Sequence, residues 1–153
     1  MKYTGAATGR VFVIKFDNDD DINIEIEKLV RKEKIKTAFF IFLGGLRQGD
    51  LVSGPKKPVI PPDPYWHSVR DGWEVSGTGS VFSGKQGPQI HIHISAGKKK
   101  NSVTGCLRKN SKVFITMEAV LYELNGVKAV KEIDGATGVN LLKITAPPGV
   151  KKA

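Results

Sequence analysis

The sequence predicts an α+β protein with a mainly antiparallel, mixed β-sheet and one or two helices packed on it. The chain has 153 residues, of which 40% are hydrophobic and 25% charged, so it is long enough to bury one core. Segments with strand character recur along its length, and glycine, asparagine or lysine turns separate them. Only one segment clearly spaces its apolar residues as a helix does. Strands that follow each other across such short turns pair antiparallel.

The first predicted elements are a strand and a helix. The segment GRVFVIKF, residues 9–16, alternates its side chains as a half-buried strand does. An aspartate-rich turn follows, in which Asp20 or Asp21 can cap a helix, and acids in a first turn also suit the helix dipole. We expect the helix to run to about Lys34. Its apolar face consists of Ile22, Ile26, Leu29 and Val30.

A second strand and a proline-rich loop come next. KTAFFIFLGGL, residues 36–46, reads as a buried strand that ends in a glycine turn, and RQGDLVSG, residues 47–54, as its continuation or its partner. Residues 54–67 contain five of the eight prolines, which excludes a central strand or a helix interior. We therefore predict a long loop, which brings Tyr65, Trp66 and His67 to the following segment.

The rest of the domain is predicted to be strands. The strand segments are WEVSGTGSVFSG, which could also be a hairpin, PQIHIHISAG, NSVTGCLR, KVFITMEAVLYEL, VKAVKEI and VNLLKI. Residues 1–145 are expected to form a single domain, and residues 146–153 a flexible tail.

The segment PQIHIHISAG carries the first candidate site. Its isoleucines alternate with His91 and His93, so one face of the strand is apolar and the other carries both imidazoles. Two residues of strand separate Cα atoms by roughly 6.6–6.8 Å, and imidazoles leaning together from there can bind one ion at about 2.0–2.1 Å each. The structural alternative is that both histidines face solvent or pack on Trp66 or Tyr65.

A metal site on this face needs a third donor. The candidates are His67 from the proline loop, Cys106 in the next strand and Glu118 in an otherwise apolar strand. Thiolate and imidazole are donors typical of transition metals, with zinc the first choice and iron or nickel the alternatives.

The charge distribution marks a basic interval around the histidines. The chain has a net charge of +9, and no acidic residue lies between Glu74 and Glu118. An electropositive surface there would attract nucleic acid, an acidic partner or a small carboxylate or phosphate. The alternative is a set of solvated lysines on strand edges and turns. The predicted anion or nucleic-acid contacts are Lys98, Lys99, Lys100, Arg108 and Lys109.

The number of cysteines and the lengths of the apolar runs indicate the cellular compartment of the protein. The single cysteine, Cys106, excludes an internal disulfide, which fits a reducing cytosol. No apolar run approaches the ~20 residues that cross a bilayer, and the first ten residues do not form a secretory signal. We expect a cytoplasmic protein without a membrane partner.

The order of these segments resembles the plant and prokaryote conserved (PPC) domain, the domain that follows the AT-hook in plant nuclear proteins and stands alone in prokaryotes. The resemblance covers residues 8–144 and is carried most specifically by the HxH strand and the TGC segment that follows it. It implies an α+β fold, a homotrimer and a predicted DNA-binding or regulatory function. It also implies a metal held by His67, His91, His93 and Cys106.

The resemblance leaves two functional hypotheses open. The first is a trimeric module that binds a metal at a histidine cluster within a basic surface and has a DNA-binding or regulatory function. The Arg-Gly-Arg-Pro core of the AT-hook is absent, so the resemblance by itself does not imply DNA binding. The second is a metal-dependent enzyme that acts on a small anionic substrate at the same histidines, although the sequence identifies no reaction. A structural trimer with bystander histidines is the simplest alternative to both.

Overall fold

The computed structural model describes residues 1–145, so the predicted tail, residues 146–153, lies outside the described part of the chain. The described elements are one helix and eight strands. In chain order they are β1 (Ala7–Asp17), α1 (Ile22–Lys32), β2 (Ala38–Pro55), β3 (Pro64–Val69), β4 (Trp73–Gly84), β5 (Gly87–Lys98), β6 (Asn101–Asn125), β7 (Ala129–Ile133) and β8 (Asn140–Ile144). The predicted α+β class is confirmed, with one helix.

Four of the strands close into a ring. β2 pairs with β6 along most of its length, β6 pairs with β5, β5 with β4, and β4 pairs back onto the first half of β2. β1 pairs with the second half of β6, and β3 pairs with the second half of β2. These pairings are all antiparallel, whereas β7 meets β4 in parallel and then pairs with β8. The sheet is therefore mixed but mainly antiparallel, as predicted.

The ring closes because β2 and β6 each bend where their register shifts. Gly44 pairs with Met117 and Gly45 with Phe114, which leaves two residues of β6 unpaired. Such bulges bend a strand and increase its twist. RQGDLVSG thus continues the preceding strand, and NSVTGCLR and KVFITMEAVLYEL form one 25-residue strand where the sequence predicted two.

The core fills the inside of this ring, and the helix closes one side of it. Phe40, Leu46 and Leu121 are completely buried, and so are Ile22 and Ile26 of the helix. Asp21 caps the helix as expected, accepting a hydrogen bond from the backbone N–H of Ile24. The helix ends at Lys32, close to its predicted end.

Ile115 occupies an unfavourable backbone conformation in the β6 bulge. Its φ is +63° and its side chain is 68% exposed, so a β-branched residue takes the left-handed region without gaining burial. We expect Ile115→Asn to raise the free energy of unfolding by about 1 kcal/mol, measured by urea denaturation. Ile133→Asn is the matched control, because Ile133 is 70% exposed and is not among the residues with positive φ. Equal effects of both substitutions would contradict the strain argument.

Candidate metal centre

Three side chains converge on the outer face of β5 and β6. One donor atom from each of His91, His93 and Cys106 lies within 4.8 Å of the others. Cys106 joins the pair because β6 places it directly opposite His93 in the sheet. The two imidazole rings meet edge to face, with centroids 4.9 Å apart. This geometry brings together three of the four metal ligands that the sequence predicted.

The strand alternation that was predicted for β5 holds. Ile92 and Ile94 are 1% and 2% exposed and belong to the core, whereas His91 and His93 are exposed on the opposite face. Ile90 is partly buried and packs against the same core. The isoleucines therefore anchor the strand, and the histidines stay available at its surface.

His67 lies outside this group. The loop was predicted to run to residue 67, but it ends where β3 begins at Pro64. In β3, His67 pairs with Leu51 and Trp66 pairs with Val52. Val52 in turn pairs with Cys106, so Trp66 is the β3 residue on the cluster side and His67 points to the other face. The His67 ring instead packs near Tyr65, with centroids 5.0 Å apart.

Glu118, the other candidate donor, is also outside the cluster. It lies on the same outer face as His93, and both residues line a cavity of about 880 Å³ with Lys15 and Leu43. Its carboxylate does not join the three donor atoms that approach one another. Glu118 is therefore a neighbour of the site.

A second cavity of about 610 Å³ opens directly over the cluster, and we call it the cluster recess. His91, His93 and Cys106 form part of its lining, and Trp66 and Arg108 form another part. Pro55, Pro62 and Pro64 also line it, so the proline segment walls the recess. A donor cluster beside an apolar wall of this kind is typical of a small-ligand site.

The electrostatics of the site favour neutral imidazole and disfavour thiolate. Burial, together with the positive charges of Lys131, His93 and Arg108, lowers the pKa of His91 to about 4. Burial raises the pKa of the Cys106 thiol, although Arg108 and Lys131 oppose that effect. At neutral pH His91 is thus ready to bind a metal, whereas Cys106 must first lose a proton.

The predicted anion contacts divide into two places. Arg108 lines the cluster recess, and the Lys109 ammonium lies 5.4 Å from the centre of the Trp66 ring. Lys98, Lys99 and Lys100 lie at the turn between β5 and β6, five residues beyond His93, which is about 17 Å along the strand. The Lys98 ammonium donates to the backbone oxygen of Asp71. The three lysines therefore form a surface apart from the cluster.

Lys131, which lines a separate cavity with Glu132 and Lys143, is a buried lysine that the sequence did not predict. It is 9% exposed and points inward with Ala129, although the strand AVKEI would ordinarily keep a lysine in solvent. Burial lowers the pKa of its ammonium, and the charge on Arg108 also lowers it, while Cys106 acts in the opposite direction. The signal in the sequence was the alternation of β7, which places Lys131 on the same side as an alanine.

The comparisons with known proteins agree with this architecture. The family model of the Plants and Prokaryotes Conserved (PCC) domain matches residues 3–125. A metal-containing protein from Archaeoglobus fulgidus superposes with a TM-score of 0.80 at 22% identity, covering 92% of this chain and 98% of that one. A plant- and prokaryote-conserved protein from Pyrococcus horikoshii superposes with a TM-score of 0.77 at 20% identity, covering 92% and 99%.

A candidate DNA-binding protein from Ralstonia eutropha JMP134 has a TM-score of 0.70 at 18% identity and covers 87% of this chain and 90% of its own. No curated protein matches the chain significantly. The helix in the described residues is too short to cross a bilayer. Because the family model spans most of the chain, from the residues before β1 to the end of β6, the protein belongs to the plant and prokaryote conserved domain family.

Proposed function

We propose that the protein is a self-associating PPC-domain module that binds one transition-metal ion at His91, His93 and Cys106. The observation that carries this proposal is the approach of two imidazoles and one thiol within 4.8 Å. Nitrogen and sulfur donors of this kind suit zinc best, with iron and nickel as alternatives. A bound zinc ion would supply positive charge and Lewis acidity in the recess. That a structural relative is described as metal-containing adds support.

Metal content of the purified protein tests this site. We expect about one ion per chain after loading with zinc and removal of the excess, measured by elemental analysis. His93→Ala and Cys106→Ser should each remove most of the ion, because two donors bind far more weakly than three. His67→Ala should retain it. Less than ~0.1 ion per chain in the loaded wild-type protein would end the proposal, since three competent donors bind stoichiometrically.

The proposed self-association uses an exposed apolar face on β1 and β2. Val13 is 87% exposed and Leu43 is 60% exposed, with Ile41 and Phe39 next to them on the same face of β2. An apolar surface of this kind on a soluble domain marks an interaction site. The resemblance to PPC domains makes two further copies of the chain the natural occupants, so we propose a homotrimer. The face borders the cavity that His93 and Glu118 line.

A charge on this face should prevent assembly. We expect the wild-type protein to elute at about three times the 16.7 kDa mass of the chain, and Leu43→Glu to elute as a monomer, measured by size exclusion with light scattering. Ile24→Glu is the control, because Ile24 is 51% exposed on the helix, away from this face. A wild-type monomer at high concentration would contradict the assembly.

A second candidate function is DNA binding through the lysine turn. Lys99 and Lys100 are exposed at the tip of the β5–β6 hairpin, and two structural relatives are described as candidate DNA-binding proteins. Contacts to phosphates would be sequence-independent and weakened by salt. Fluorescence anisotropy with a labelled duplex should show binding at low salt that both added salt and the Lys98–Lys100 triple alanine variant weaken. Binding that does not respond to salt would contradict this mode.

The alternative to a binding module is a metal-dependent enzyme for a small anionic substrate. It is favoured by the cluster recess, in which Arg108 lies beside the three donors. Three protein donors are one fewer than a closed structural zinc site uses, which is the pattern of a site that also takes a ligand. Binding of a small anion in the recess is the property that tests this alternative.

A further inference from the structure

One row of side chains that crosses four strands lines the cluster recess. His93 of β5 pairs with Cys106 of β6, and Cys106 pairs with Val52 of β2. Val52 pairs in turn with Trp66 of β3, so the four side chains share one face of the sheet. Each strand adds about 4.8 Å, which places the Trp66 backbone about 10 Å from that of Cys106. All four residues line the recess, so the metal donors and an aromatic side chain lie at two ends of one site.

Arg108 is the one lysine or arginine of the described residues that lines this recess. It follows Cys106 by two residues in β6, so it lies on the same face of the strand, about 6.8 Å further along. None of the ion pairs formed by residues 1–145 includes it. No aspartate or glutamate of those residues lines the recess either. The Arg108 guanidinium is therefore available to a carboxylate, which it can bind through two parallel hydrogen bonds.

Most of the remaining lining is apolar. Pro55, Pro62 and Pro64 contribute to it, and so does Val139 from the turn between β7 and β8. Trp66 is 50% exposed, and the Lys109 ammonium 5.4 Å from the centre of its ring helps to hold that ring in place. The volume of about 610 Å³ is in the range of sites for small organic molecules. An acetate or phosphate ion would leave most of this apolar lining in contact with water.

We propose that the cluster recess binds a carboxylate with an aromatic body, whose carboxylate lies at Arg108 beside the three donors and whose ring packs against Trp66 and the prolines. This inference deepens the proposed metal site by naming the class of ligand it takes. A bound metal would add a second positive charge beside Arg108. Arg108 and Trp66 attract the ligand without the metal as well, more weakly.

Titration calorimetry with benzoate, acetate and benzyl alcohol tests the two halves of this ligand. Acetate lacks the ring, and benzyl alcohol lacks the charge. Each is added to zinc-loaded protein of measured metal content and to protein treated with a chelator. We expect benzoate to bind at least about tenfold more tightly than either of the others, because only benzoate meets both Arg108 and Trp66.

Substitutions assign each half to its residue. Arg108→Met should weaken benzoate binding by at least about tenfold and leave benzyl alcohol within about twofold, because it removes only the charge. Trp66→Ala should weaken both ring-bearing ligands and leave acetate unchanged. Tyr65→Ala is its matched control, because Tyr65 is also 50% exposed and lies on the opposite face of β3. Arg31→Met, in an exposed arginine of the helix, is the control for Arg108.

Thermal unfolding confirms that each variant is folded, and the metal content of Arg108→Met and Trp66→Ala should equal that of the wild-type protein. Benzoate that binds no better than acetate, or unchanged benzoate affinity in Arg108→Met, overturns the inference. Equal losses in Tyr65→Ala and Trp66→Ala would contradict the position of the ring. A wild-type protein without metal overturns the metal site alone, because the chelator-treated titration still measures whether Arg108 and Trp66 hold benzoate.

Discussion

Zinc affinity is expected to rise about tenfold for each pH unit between pH 7 and 8. Burial raises the pKa of Cys106 above its ordinary 9.0, so the thiol is protonated throughout this range. A metal binds the thiolate, and binding therefore releases one proton from this residue. His91 releases none, because burial and nearby positive charge hold its pKa at about 4. The pH dependence should thus come from the cysteine.

Cys106→Ser separates this proton from the rest of the site. A serine hydroxyl stays protonated when it binds zinc, so the variant should bind weakly and with little dependence on pH. Competition with a chromophoric chelator gives the affinities, and calorimetry in buffers of different ionisation enthalpy counts the protons. A slope in Cys106→Ser equal to that of the wild-type protein would falsify the assignment of the proton to the thiol.

The His91 pKa has a further consequence for stability in the metal-free protein. The pKa is lowered from 6.5 in the unfolded chain to about 4 in the folded one. Between these values the unfolded state binds the proton first, so the contribution of His91 to stability is complete above pH 6.5 and is lost as pH falls towards 4. Protonation of His91 therefore adds little to the loss of metal affinity until the pH approaches 4, whereas competition with the proton on Cys106 weakens metal binding throughout this interval.

Gly79→Ala should destabilise the fold by about 3 kcal/mol. Gly79 faces the core from β4, and a methyl group built on it would lie 2.1 Å from the tip of the Phe40 ring. Phe40 is completely buried and has no room to withdraw, so the backbone of β4 or the ring must move. Since β4 is one member of the closed ring, its displacement also strains the pairing with β5.

Urea denaturation in the presence of a chelator measures this effect without a contribution from metal. Gly97→Ala is the control, because nothing lies within 4 Å of a methyl group at that position of β5, and we expect a change within about 0.5 kcal/mol. Phe40→Leu should restore part of the stability of Gly79→Ala. Equal losses in both glycine variants would instead point to a backbone effect.

The sequence predicted best what depends on neighbours along the chain. The helix cap at Asp21 and the alternation of isoleucine and histidine in β5 follow from local spacing, and both are observed. The partnership of His93 with Cys106 was predicted because a single short hairpin joins their strands. These features require only the geometry of one turn or one strand.

Features that depend on distant pairing were not predictable from spacing. β2 and β6 are each continuous because they pair with each other along the ring. The local pattern of residues does not predict that pairing. The strand that begins at Pro64 is possible because proline is tolerated at the first position of a strand. That strand turns His67 away from the cluster and places Trp66 beside it. Lys131 was missed because its burial depends on how the hairpin folds over β4.

Closure of the ring also imposes an order on how the chain can fold. Ala38 pairs with Glu123, so the pairing of the first half of β2 with β6 joins segments from opposite ends of the domain. Contacts so far apart in the chain make for slow folding, since the intervening loop must close before the pairing is formed. During synthesis, β2 and β4 can pair early, but the core inside the ring can close only after the second half of β6 has been made.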